Sequence, residues 1–117
     1  MNHEPLPSLL PLAPATLHIL LALAGDRMHG YGIMQEVTRL SQGQYKLGPG
    51  TLYDNLQRMM KQGLVEESAS RIGEDERRRC YELTARGREV LAADLARLHA
   101  VMKEARRVLR GWQPRSV

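Results

Sequence analysis

The spacing of apolar positions changes along the chain, and each change marks an element. Residues 14–24 are apolar on almost every side, which predicts a buried helix with Pro14 in its first turn and Gly25-Asp26 ending it. In residues 31–40, Ile33, Met34, Val37 and Leu40 recur at helical spacing and predict a second helix with one apolar face. A polar connection containing glycine, 41–48, separates it from a third. The stretch KLGPGTLYDNLQRMMKQGLVEE, residues 46–67, carries both ends of that third helix. Gly48 suits the N-cap. Pro49 suits the first helical position, where its missing N–H would have gone unpaired, and Gly63 suits a left-handed C-terminal cap with Leu64 folding back onto Met59. At 100° per residue, Leu52, Leu56, Met59 and Met60 form one stripe; Asp54, Gln57, Arg58 and Lys61 point away, with Thr51 and Asn55 on a flank.

Beyond Gly63 the alternation becomes strand-like. LVEES and RRCYELT predict two short strands, Tyr81 and Leu83 sharing one side, joined by the charged loop ASRIGEDERR. From residue 85 the pattern is most regular of all. Leu91, Leu95, Leu98, Met102, Ala105, Leu109 and Trp112 follow each other at alternating spacings of four and three, an a/d seam of period 3.5. Thr84 supplies an N-cap, and Gly87 allows close backbone packing. A helix over 85–112 would be roughly 42 Å long at 1.5 Å per residue. The domain before it would be about 30 Å across, from a radius of gyration of roughly 12 Å. The helix overhangs, and the simplest cover for its apolar stripe is a second copy about a two-fold axis.

The expected fold is therefore mainly α with a small β-hairpin: a winged helix-turn-helix over 14–84, a C-terminal dimerisation helix over 85–113, a flexible lead over 1–13 and a tail over 114–117. DNA binding is the main use of this layout, with the third helix presenting its outer face to the major groove. Arg58 and Lys61 suit phosphate or guanine, Gln57 adenine or phosphate, and Thr51 phosphate or a thymine methyl. Asp54 needs a cytosine amino group or a neighbouring cation. The competing assignment of this face is a plain solvated surface.

Charge adds a modest tilt. The 117 residues carry a net charge of +4, which favours an anionic partner. The apolar run near the N-terminus lacks a positive leader, carries Glu4, is cut by prolines and falls far short of a membrane span. A single cysteine, Cys80, excludes an internal disulfide and points to a reducing compartment, hence the cytoplasm. As a strand cysteine it is expected to pack rather than to react. His3, His18, His29 and His99 lack ligand spacing, and no phosphate loop, HExxH or nucleophile elbow occurs. Neither metal, cofactor nor enzymatic activity is expected.

The segments HGYGIMQEV, GPGTLYDNLQRMMKQGLVEE and RRRCYELTARGREVL, in this order and spacing, resemble the PadR family of bacterial transcriptional regulators over nearly all of residues 17–109. The resemblance implies a homodimeric repressor with a recognition helix in the major groove, a wing near the minor groove or backbone, and in some relatives an effector pocket at the dimer interface. The DNA-binding set is then Lys46, Thr51, Tyr53, Asp54, Gln57, Arg58 and Lys61 with the wing arginines Arg77, Arg78 and Arg79. For Tyr53, packing and a phosphate contact are equal alternatives. The acidic wing tip, GEDE, argues against deep minor-groove insertion and for backbone contacts by the arginines, which could instead pair with Glu74, Asp75 and Glu76. Trp112 is first an anchor of the helix pair and second a stacking surface for an apolar aromatic effector. Two-fold symmetry implies a palindromic operator with half-sites roughly 34 Å apart. The alternatives from other classes are a small-molecule sensor and a winged-helix protein-interaction module.

Overall fold

The computed structural model describes residues 4–68 and 79–112. A 3-10 turn at Leu6–Leu9 leads into α1 (Pro14–Gly25), β1 (Met28–His29), α2 (Gly30–Leu40), α3 (Pro49–Lys61), β2 (Val65–Ser68), β3 (Cys80–Leu83) and α4 (Ala85–Val108). The helices and the small antiparallel sheet share one core. α1 sits within it, burying Thr16, Ile19, Leu20, Ala22 and Leu23, as a helix apolar on nearly all sides must. α2 contributes Ile33 and Val37, while Leu40 is left largely exposed at its end.

α3 forms as its end signals require. Gly48 is the extended N-cap, Pro49 occupies the first position, and Gly63 has φ +75°. The Gly63 N–H donates to the Met60 carbonyl (3.1 Å) and the Leu64 N–H to the Met59 carbonyl (2.9 Å), the paired bonds of a Schellman cap. Met59 and Leu64 are both buried, so the cap is closed by the apolar contact that accompanies it. Leu52, Leu56 and Met59 are buried as expected and Met60 partly so; Asn55, expected on a flank, is buried among them.

The sheet has three strands in the order β1-β3-β2, one more than the expected hairpin. Met28 pairs with Tyr81 and His29 with Cys80, so the turn between α1 and α2 is stitched to the hairpin. Two residues carry no period of their own, and β1 exists only through that long-range pairing.

α4 begins at Ala85 as expected and ends earlier than expected. Its first turns also contribute to the core: Gly87, Val90, Leu91 and Asp94 are buried. Thr84 caps it by accepting from the Gly87 N–H (3.0 Å), and its hydroxyl donates to the Gly63 carbonyl (2.6 Å). At the far end the helix stops at Val108, with Leu109 as C-cap and Gly111 at φ +84°, so Trp112 lies beyond it. The lead is also less free than expected. Leu6, Leu9, Leu10 and Leu12 pack against the core, and Arg86 donates to the Glu4 and Gln62 carbonyls, tying the lead to α4 and to the end of α3.

Candidate nucleic-acid interface

The outer face of α3 is mostly polar, while Leu52, Asn55, Leu56 and Met59 commit its inner face to the core. Thr51, Asp54, Gln57, Arg58 and Lys61 are exposed, as is Lys46 just before the helix. No side chain caps the helix start, and a Cβ built on Gly50 would meet nothing within 4 Å. The helix start at Gly50 is therefore open, and it is the positive end of the helix dipole, where an anion is favoured. Lys46, Lys61 and Asp54 have no charged partner among the described residues.

The Tyr53 ring packs without being enclosed. Its hydroxyl lies against the start of α2, where a Cβ on Gly30 would come within 2.4 Å of Oη, yet the residue is 47% exposed. Glycine at position 30 is thus what lets the ring lie down while its edge stays in solvent. Beside it, Tyr53, Asp54, Gln57, Glu67, Arg79 and Tyr81 line a hollow of about 330 Å³ between α3 and the sheet. Burial, with the neighbouring Tyr53 and Glu67 adding to it, raises the pKa of Tyr81, and Arg79 opposes the shift.

Of the wing arginines, Arg77 and Arg78 lie outside the described residues, as do Glu74, Asp75, Glu76 and the acidic tip. Arg79 is exposed at the start of β3. Its Nη1 donates to Glu67 Oε1 across the sheet (3.0 Å), so its described partner is on β2 and not in the loop. His29 Nδ1 lies 3.3 Å from the Arg79 carbonyl and 3.4 Å from Cys80 Sγ, and Cys80 is buried as a packing residue should be.

A buried polar cluster beneath α3 escaped the sequence. Thr16 on α1 donates to Asn55 Oδ1 (2.9 Å), Asn55 Nδ2 donates to the Thr51 carbonyl (2.8 Å), and Arg58 Nη2 donates to Asn55 Oδ1 (2.5 Å). Arg58 is thus exposed but not free. An Asn on the flank of an apolar stripe was the available signal, since such a side chain requires partners once buried.

On α4, the apolar seam divides into a buried and an exposed part. Leu91 is 5% exposed and belongs to the chain's own core, which removes it from the expected dimer surface. Leu98 is half-buried; Leu95, Met102, Ala105, Leu109 and Trp112 are exposed. Val101 and Val108, off the strict seam, are exposed too, and with Ala105 and Leu109 they line a shallow apolar hollow of about 410 Å³. The stripe is therefore broader than an a/d seam. Among the described residues no group of His, Cys, Asp and Glu could hold a metal ion, and no helix is long and apolar enough to cross a membrane.

Known proteins share this arrangement. The family model for the transcriptional regulator PadR-like family matches residues 19–93. Transcriptional regulator Rv3488 of Mycobacterium tuberculosis is 38% identical over 92 residues, covering 79% of this chain and 82% of that protein. Among solved structures, a PadR family transcription regulator from Clostridium difficile R20291 superposes with a TM-score of 0.69 at 23% identity, over 83% of this chain and 99% of that one. Bacillus subtilis PadR in complex with operator DNA superposes with a TM-score of 0.62 at 20% identity, over 73% and 48%. At these identities the two structures establish the fold.

Proposed function

Because the chain belongs to the PadR-like family of transcriptional regulators, we propose that it is a repressor that binds a palindromic operator as a homodimer, with α3 in the major groove. The observation that carries this is the outer face of α3, where Thr51, Asp54, Gln57, Arg58 and Lys61 are exposed, set on a helix whose other side is locked into the core. The operator complex of the Bacillus subtilis protein, which shares the fold, supports it.

Each side chain then has a role its chemistry permits. Arg58, Lys61 and Lys46 neutralise phosphate or, for Arg58, read guanine; Gln57 reads adenine; Thr51 meets a phosphate or a thymine methyl; Asp54 accepts from a cytosine amino group. Tyr53 offers its exposed edge to a phosphate. Arg79 stands at the base of the wing for a backbone contact, for which it exchanges Glu67 for phosphate, and Arg77 and Arg78 take the same role further out. Bound over a promoter, such a dimer blocks transcription, and its work lies in the cytoplasm.

A salt series of binding to the chain's own upstream promoter, against unrelated duplex of equal length, tests this. The promoter should be preferred, with log K falling steeply against log salt, and Lys61→Ala should reduce that slope by about 0.9 for one lost phosphate contact. Absence of binding at low salt would discard the DNA reading in favour of a protein-docking module.

A second reading, an effector-responsive regulator, is favoured by Trp112, which is 60% exposed just past α4 beside the apolar stripe. An apolar aromatic effector stacked there would act by binding two states of the dimer unequally. Tryptophan fluorescence that stays flat across a panel of aromatic compounds would count against it.

A further inference from the structure

We propose that Thr16 and Asn55 are positioning residues for Arg58: through them α1, a helix largely buried in the core, fixes the guanidinium that α3 presents to DNA. This rests on the reading of α3 as the DNA-contacting helix. The geometry is a closed chain of bonds. Asn55 Oδ1 accepts both from Thr16 Oγ1 (2.9 Å) and from Arg58 Nη2 (2.5 Å), while Asn55 Nδ2 donates to the Thr51 carbonyl (2.8 Å). Arg58 Nη2 also reaches Thr16 Oγ1 (3.4 Å). The orientation of the Asn55 amide follows from chemistry alone, since a guanidinium can only donate and a carbonyl can only accept.

Burial separates this from an ordinary surface contact. Thr16 and Asn55 are 7% and 6% exposed, whereas Arg58 is exposed. The acceptor that holds the guanidinium is therefore rigid and dry, and the charge it holds is in solvent. Among the described residues only Nη2 has a partner, which leaves Nε and Nη1 as donors for an incoming phosphate or base. No carboxylate among the described residues neutralises Arg58 in this arrangement, so its full charge remains available. An arginine held this way loses less freedom on binding than one that must first be immobilised, and the difference appears as affinity.

The measurement uses a duplex that the full-length protein enriches from a random-sequence pool. Thr16→Val removes the hydroxyl and keeps the shape; it should weaken binding about 3- to 10-fold, the range for immobilising one side chain. The salt slope should stay unchanged, because the charge of Arg58 is still present. Thr16→Ser, which restores the hydroxyl, should bind within about twofold of the parent, and in an Arg58→Ala background Thr16→Val should change affinity by less than about twofold, as coupled residues do. A loss that is equal in both backgrounds would assign Thr16 to packing alone and overturn the proposal, and so would parental affinity in Thr16→Val. Unchanged binding by Arg58→Ala removes the contact that Thr16 is said to serve. Failure of the parent protein to enrich any duplex is distinguishable from all of these, since it removes the DNA reading itself and the positioning role with it.

Discussion

Tyr81 shows how much a single side chain can report about its surroundings. It is 4% exposed on β3, next to Tyr53 and the Glu67–Arg79 pair. Burial foremost, then Tyr53 and Glu67, favour the neutral phenol, so its pKa in the folded chain stands above the ordinary value of 10.0. The sign follows from proton linkage. Above that ordinary value the unfolded chain has lost the phenolic proton while the folded chain retains it, so stability falls as pH rises from about 10 through the folded pKa. Below pH 10 the residue contributes no pH dependence. Melting curves from pH 8 to 11 should show the extra alkaline loss in the parent and not in Tyr81→Phe. The same residue belongs to the hollow beside α3, so that hollow shares its wall with the core of the sheet.

At the level of elements, tight junctions hold α3 in place. Gly87 is the clearest. A Cβ there would lie 2.1 Å from the Leu64 carbonyl oxygen and 3.1 Å from its carbon, both backbone atoms that cannot step aside. Gly87→Ala should cost about 2 kcal/mol, the range for overpacking a well-filled core, despite the better helix propensity of alanine. A lower urea midpoint at unchanged m-value would record it. The value of Gly87 was legible in the sequence because a glycine early in an unbroken helical pattern weakens the helix, a cost that close packing against another backbone offsets. The ends of α3 were legible for a related reason: Gly48, Pro49 and Gly63 act within one turn of the chain. β1 and the Thr16–Asn55 bond were not, because each joins residues distant in sequence and leaves no local period. Leu91 misled for the opposite reason. It fits the seam perfectly, but a heptad pattern does not say where the chain's own core ends and a partner's surface begins.

For the whole molecule, the exposed half of α4 is the feature to account for. The radius of gyration is 16.5 Å, against about 13 Å for a compact chain of this length, and the extents are 55 × 37 × 23 Å. Val101, Met102, Val108 and Leu109 form an apolar surface on that projection. If a second copy covers it, Val101→Asp with Leu109→Asp should shift sedimentation from dimer to monomer while leaving the far-UV spectrum of the core intact. Operator affinity should fall with it by 100-fold or more, since two linked half-sites bind with an avidity of about 10² to 10⁴ over one. An unchanged sedimentation coefficient would show that the stripe has another occupant or none.

α4 carries no glycine or proline between Gly87 and Gly111, and its first turns are wedged against the Leu64 carbonyl and the Thr84 cap. Such a rod has no hinge. Tilting its free end by a few degrees turns the entire core with it, and at about 1.5 Å per residue the exposed stretch is a lever arm of roughly 20 Å. Should two copies pair through α4, the distance between their α3 faces would be set by the crossing of two rods, so a small change far from α3 would be transmitted as rotation and not lost in bending.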